Sequence, residues 1–202
     1  LVMERILITG ALGQLGQEFI KYFIKNNIYV LASDIRSPKN KLNCDFEVAN
    51  AMDKERLDNL VKKYKINTIY HLVAILSAKG EENPFNSWKL NMESFQNIIE
   101  ISITNKINKI FWPSSIAVFG TKSGLENVNQ DPVLNPSTIY GISKLSGEKL
   151  ISYYNNKFDL DIRSLRYPGI ISFESKPGGG TTDYVMEMIE SLKKGENYTC
   201  FY

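Results

Sequence analysis

Short apolar runs alternate with segments of helical period along nearly the whole chain. Ile6-Leu7-Ile8 is continuous apolar sequence, the mark of a strand buried on both faces. Leu15, Phe19, Ile20, Phe23 and Ile24 then recur at three- and four-residue spacing, a helical stripe. Residues 28–32 read as a second strand ending at Asp34, and residues 46–48 as a third. Leu57, Leu60, Val61 and Tyr64 mark a helix, and residues 68–73 a fourth strand. A long helix is expected over 87–105, with one stripe of Met92, Phe95, Ile99 and Ile103 and another, nearly opposite, of Leu90, Ile98 and Ile101. A helix apolar on two sides is buried on two sides, so one face is expected to meet the sheet and the other a partner subunit, with packing inside the same chain as the alternative. Residues 109–112 form a fifth strand stopped by Pro113, 137–156 a helix with Ser137 as its cap, and 162–166 a sixth strand stopped by Pro168. Gly178-Gly179-Gly180 precedes a last helix over 182–193. There is no repeat and no linker. The pattern predicts an α/β, Rossmann-like, doubly wound parallel sheet with helices on both faces.

Composition changes that picture little. The 202 residues fit one domain of ordinary size, and 43% hydrophobic against 23% charged residues is a globular balance. With 24 basic and 22 acidic side chains and no basic cluster, neither nucleic acid nor a membrane surface is implied as a partner. No apolar run reaches the roughly 18 residues a membrane span needs, and the opening residues lack a signal-peptide pattern. Cys44 and Cys200 give neither a disulfide framework nor metal-ligand spacing, so no metal is expected. A reducing, cytoplasmic setting is expected, with an organelle form as the alternative.

Chemistry enters with Thr9-Gly10-Ala11-Leu12-Gly13-Gln14-Leu15-Gly16, which lies between the first strand and the first helix. Glycines allow a tight turn and a close backbone approach to a pyrophosphate, and the helix N-terminus offers free N–H groups. The spacing is G-x-x-G-x-x-G, wider than the G-x-G-x-x-G fingerprint. Asp34, at the end of the second strand, can accept hydrogen bonds from an adenosine ribose and would repel a 2′-phosphate, which favours NAD over NADP. Arg36 nearby could tolerate that phosphate, and a glycine turn with a packing role is the plain alternative.

Tyr140 and Lys144 lie four apart on a predicted helix and share a face. An ammonium beside a phenol favours the phenolate, a base able to take an alcohol proton. Tyr153 and Lys157 repeat the spacing, but near a helix end, where a lysine is expected on dipole grounds alone. Ser114 and Ser115 follow the fifth strand, at the sheet edge where chemistry collects. There a Ser115 hydroxyl could hold a substrate oxygen beside Tyr140, with Ser114 as a lesser helper. His71 reads as packing at a strand end.

The glycine turn, Ser115 and Tyr140/Lys144 resemble the extended short-chain dehydrogenases, which include the sugar-nucleotide epimerases. Within them, Leu165-Arg166-Tyr167-Pro168-Gly169-Ile170-Ile171-Ser172 and Pro177-Gly178-Gly179-Gly180-Thr181-Thr182-Asp183-Tyr184 resemble the L-threonine 3-dehydrogenases. So do Leu76-Ser77-Ala78, residues 112–120 and residues 135–141. The resemblance implies oxidation of the threonine β-hydroxyl to 2-amino-3-ketobutyrate, with hydride transfer to NAD. Tyr140 would be the base, Lys144 would hold the nicotinamide ribose, and Ser115 would orient the hydroxyl. NAD would contact Gly10, Leu12, Gly13, Gln14, Leu15, Gly16, Asp34, Ile35, Arg36, Asn50, Ala51, Leu72, Tyr140, Lys144 and Ile170. Ser77, Ser115, Tyr140 and Thr181 would meet the amino acid, while Thr182 could equally be a plain N-cap. The resemblance further implies a homodimer built on the helices over 87–105 and 137–156. It implies an NAD-binding domain over 1–172, and over 173–202 the start of a substrate-binding part that is incomplete at Tyr202. An epimerase or dehydratase of the same superfamily is the alternative enzyme, and a non-catalytic NAD-binding scaffold the alternative outside catalysis.

Overall fold

The computed structural model describes residues 3–107, 109–124, 126–171 and 183–199. Its strands are β1 (Arg5–Thr9), β2 (Tyr29–Asp34), β3 (Asp45–Val48), β4 (Thr68–His71), β5 (Lys109–Phe111), β6 (Ser114–Ser115), β7 (Asp161–Arg163) and β8 (Arg166–Tyr167). Its α-helices are α1 (Gln14–Lys25), α2 (Lys54–Lys63), α3 (Ser77–Glu82), α4 (Pro84–Asn105), α5 (Ile139–Phe158) and α6 (Tyr184–Lys194). Six strands form one parallel sheet in the order β3-β2-β1-β4-β5-β7. This is the doubly wound order, in which winding reverses between β1 and β4 and opens a crevice at their carboxyl ends.

The continuous apolar runs follow from burial on both faces. Side chains alternate across a strand, so Leu7, Leu31, Ile69, Ile110 and Ile162 enter one core with Leu57 and Leu60 of α2 and Phe95 and Ile99 of α4. Ile6, Ile8, Val30 and Ala32 enter the other, against Ile20 and Phe23 of α1. The second stripe of α4 is largely consumed within the chain: Ile98 is 0% and Ile101 2% exposed, and both belong to the first core. Two-sided burial of this helix therefore does not require a partner subunit.

Several boundaries differ from the sequence expectation, each for a local reason. Helix α4 starts at Pro84 because Asn83 accepts from the Asn86 N–H at 3.1 Å and proline suits the first helical position. Helix α3 was not anticipated from the sequence; its six residues are too short for a periodic stripe. Thr138, and not Ser137, caps α5, accepting from Gly141 N–H at 3.0 Å. The expected sixth strand is two pieces. The ladder breaks at Pro113 and resumes as the separate β6–β8 sheet, while the N–H groups of Trp112 and Ser114 on either side still reach the Arg163 and Leu165 carbonyls. The last expected helix appears as α6, while its first residue, Thr182, lies outside the described residues. Among the described residues no helix is long and apolar enough to cross a membrane.

Helix α5 lies unusually close to the segment after β5. Trp112 is 1% exposed and stacks on Phe95 with ring centroids 4.6 Å apart. A Cβ on Gly147 would collide with the Trp112 ring, and one on Gly141 with the carbonyl of Ala117. Gly→Ala in an exposed helix gains about 0.5–1 kcal/mol. At Gly147 the collision should reverse that sign, for a net loss of about 1–3 kcal/mol, the usual weight of overpacking. Urea unfolding of Gly147→Ala checks this; equal or higher stability would show that α5 can move away from Trp112.

Candidate active site

All six strands of the main sheet run parallel, so their carboxyl ends share one edge. Onto that edge the fold brings most of the residues singled out in the sequence. Gly10 follows β1 with φ of +71°, which a side chain would strain, and a Cβ there would press on the backbone of Leu72 and Val73 after β4. Gly16 permits α1 to sit against Ala11, whose carbonyl oxygen would be 2.5 Å from an added Cβ. Gly13 caps α1 with no side-chain hydrogen bond and no acidic residue follows in the first turn, so the N–H groups of Gln14 and Leu15 face no competing carboxylate.

Asp34 is buried at the end of β2 and closes the same cradle. One carboxylate oxygen accepts from Leu12 N–H at 3.1 Å, the other from Arg36 N–H at 3.2 Å. The Arg36 side chain reaches this carboxylate only at 3.5 Å and is 71% exposed, a surface contact of little weight. Ile35 is exposed beside it. Asn50 and Ala51 follow β3; Asn50 accepts from Met52 N–H, and the Ala51 carbonyl accepts from Asn97. Leu72 N–H donates to Thr9 at 3.0 Å, tying the two sides of the crevice. Glycine without Cβ, an open helix N-terminus and a strand-end carboxylate fit a dinucleotide. Gly10, Leu12 to Gly16 and Asp34 could hold its pyrophosphate and ribose.

Across the crevice, α5 brings Tyr140 and Lys144 together with Ser115 of β6. The Lys144 ammonium is buried and lies 5.5 Å from the Tyr140 ring centre and 4.1 Å from that of Trp112. Its Nζ donates to the Pro113 carbonyl at 2.6 Å. Burial pulls Lys144 down to about 7. Burial pushes the Tyr140 phenol up, and its hydrogen bond with Ser115 works the other way. Ser115 Oγ also accepts from Ala117 N–H at 3.2 Å, which orients it. Tyr153, by contrast, is 54% exposed on the outside of α5.

The neighbouring polar groups were only partly anticipated. His71 is fully buried between Thr9 Oγ1 at 2.7 Å and Ser94 Oγ at 3.0 Å. Burial first and the charge of Lys144 second hold it down to about 3, so it is a neutral packing residue. Ser114 does not face the reacting side: its hydroxyl donates to Glu148 at 2.6 Å. Asn91 was missed; its amide grips both the N–H and the carbonyl of Ile75 and reaches Ser143 Oγ at 3.5 Å. A buried asparagine in the middle of an apolar helix stripe was the signal available. Ser77 begins α3 and is half-buried, and Ile170 is half-buried after β8. Thr181 lies outside the described residues. Among the described residues no group of three or more His, Cys, Asp or Glu could hold a metal ion.

This is the arrangement of a dinucleotide-binding site on a doubly wound sheet. The chain belongs to the NAD dependent epimerase/dehydratase family, which it matches over residues 6–202, and NAD is its cofactor. It is 42% identical to an uncharacterized epimerase/dehydratase of Staphylococcus haemolyticus, over 98% of this chain and 64% of that protein. Among solved structures it superposes with a TM-score of 0.94 on a partial consensus L-threonine 3-dehydrogenase, at 42% identity over 98% of this chain and 64% of the other. With the holo form of an L-threonine dehydrogenase from Cupriavidus necator the TM-score is 0.93, at 40% identity over 98% of this chain and 65% of the other. The chain thus spans about 64% of the length of the curated relative.

Lys144 makes the site's electrostatics testable through stability alone. A lysine whose folded pKa is lowered binds fewer protons folded than unfolded, between about 7 and its ordinary 10.5. Stability should therefore rise with pH across that window and gain nothing from this group below it. Unfolding of the wild type against Lys144→Met, followed from neutral to alkaline pH, should show the rise in the first and its loss in the second. Parallel curves would mean that Lys144 keeps its ordinary titration.

Proposed function

We propose that the protein oxidises the β-hydroxyl of L-threonine to a ketone, giving 2-amino-3-ketobutyrate. The observation that supports this best is the meeting of half-buried Tyr140 and Ser115 with the buried Lys144 beside a dinucleotide cradle. The likeness of the chain to L-threonine dehydrogenases at 40–42% identity supports the substrate. Ser115 holds the substrate hydroxyl and Tyr140, as phenolate, takes its proton. Lys144 keeps the phenolate favourable and reaches the cofactor ribose. NAD, when bound, accepts the hydride that leaves the same carbon. Asp34 takes the adenosine ribose, and Ser77 and Thr181 contact the amino acid. On this reading residues 1–172 hold the cofactor, and 173–202 open the part that covers the substrate.

Tyr140→Phe keeps the ring and removes the proton acceptor. Turnover of threonine, followed as NADH formed from NAD, should fall at least about a hundredfold, the low end for a general base. NAD affinity should be nearly kept, and Tyr153→Phe should match the wild type. NADH formation unchanged in Tyr140→Phe would sink the assignment. Interconversion of a UDP-sugar without NADH release, and no response to threonine, would move the protein to the epimerase side of its family.

We also propose a homodimer. With Ile98 and Ile101 used inside the chain, its support is the apolar surface left on the two long helices. Phe85 is 86% exposed and Trp88 40% on α4, and Ile142 is 40% exposed on α5. Sedimentation should give a dimer in the wild type and a shift towards monomer in Phe85→Glu. A wild type that sediments as monomer at micromolar concentration ends the proposal.

A further inference from the structure

Glu148 has no part in the chemistry above, yet its carboxylate accepts three hydrogen bonds close to the site. It lies eight residues after Tyr140 on α5, about 12 Å along the helix axis. Arg166 of β8 grips its carboxylate with two parallel bonds, Nε to Oε1 at 2.9 Å and Nη2 to Oε2 at 2.8 Å. Both side chains are mostly shielded from water, at 15% and 17% exposure. The third guanidinium nitrogen donates to the Gln130 carbonyl at 2.6 Å, and the group stands 5.2 Å from the Phe119 ring centre. Burial pushes the Glu148 carboxyl up, but its bonds to Arg166 and Ser114 outweigh this and hold it below the usual range.

The fourth bond of the cluster reaches the site. Ser114 Oγ donates to Glu148 Oε1 at 2.6 Å and is itself buried. Ser114 and Ser115 are consecutive on β6, so their hydroxyls leave opposite sides of the strand. Strand β6 is two residues long, and its ladder consists of Ser114 opposite Arg166 and Ser115 opposite Tyr167. So short a pairing fixes its own position weakly. The bond to Glu148 adds what the ladder lacks, and it starts from the helix that also carries Tyr140. Helix α5 therefore sets both ends of the Ser115–Tyr140 spacing, one directly and one through Glu148 and Ser114.

We propose that Glu148, clamped by Arg166, is a positioning residue that acts through Ser114 to hold Ser115 against the Tyr140 phenol. This rests on the roles given to Ser115 and Tyr140 above, and its test is chosen to need no substrate. The Tyr140 phenol is titrated by ultraviolet absorbance in the NAD-loaded protein, as the difference between each protein and its Tyr140→Phe counterpart. Ser115 bonding favours the phenolate, so Ser114→Ala should move the titration to higher pH. Glu148→Gln keeps an acceptor for Ser114 and should move it less than Glu148→Ala. Threonine turnover in Ser114→Ala should fall about tenfold, the weight of roughly one hydrogen bond, with NAD affinity kept. If Glu148→Ala fails to fold, Ser114→Ala still decides, because it leaves the Glu148–Arg166 pair intact. An unmoved phenol titration in Ser114→Ala overturns the proposal and leaves the pair a purely structural one. A wild type inert to threonine would defeat the proposed activity while leaving this titration readable.

Discussion

The close approach of α5 to the segment after β5 is the constraint on which the site depends. From this helix the Lys144 ammonium reaches the Pro113 carbonyl and Tyr140 the Ser115 hydroxyl, with the two backbones nearly in contact. Gly141 and Gly147 make the approach possible, because a methyl group at either position would overlap Ala117 or Trp112. Trp112 then fills the space beneath, stacked on Phe95 of α4 on one side and under the Lys144 ammonium on the other. The same ring therefore serves the hydrophobic core and the electrostatics of the site.

The parallel sheet sets the other half of the geometry. Because β1 and β4 are neighbours while their connections wind in opposite directions, the chain must leave a gap above their carboxyl ends. Gly10 lines that gap, and Asp34 braces the glycine turn through Leu12. His71 ends β4 directly beneath, tied to β1 through Thr9 and to α4 through Ser94. A charged histidine there would face Lys144 in the same dry interior. Its descent to about 3 keeps it neutral and leaves the lysine as the local cation.

What could be read from the sequence follows from the range of each interaction. A parallel sheet was implied by continuous apolar runs that must be covered on both faces, and Gly10, Asp34, Ser115, Tyr140 and Lys144 stand at strand ends or on one helix face. These are short-range patterns, and the structure gathers them at one edge. The Ser114–Glu148–Arg166 cluster joins residues 18 and 34 positions apart, and no periodicity announces it. Asn91 was hidden differently, as a polar residue inside an otherwise apolar helix whose partner, Ile75, lies in a loop. The second stripe of α4 is buried, as its periodicity implied, and Ile98 and Ile101 are covered within the chain. Periodicity reports that a face is dry and says nothing about whether the same chain or another one dries it.

The site also resolves a conflict that burial alone creates. Desolvation raises the phenol of Tyr140 and lowers the ammonium of Lys144, so by itself it favours the neutral pair, hydroxyl and amine. The proposed chemistry needs the opposite distribution of the same proton, phenolate and ammonium. Three contacts work towards that state. Ser115 stabilises the phenolate by hydrogen bonding, the Pro113 carbonyl accepts from the ammonium at 2.6 Å, and the Trp112 ring offers its face to the cation at 4.1 Å. Each is held by the segment 112–115, which runs on from β5 through β6. Moving that segment away from α5 would weaken all three together and return the proton to tyrosine. Its anchoring by proline, by a buried tryptophan and by Ser114 is therefore part of how this phenol could serve as a base.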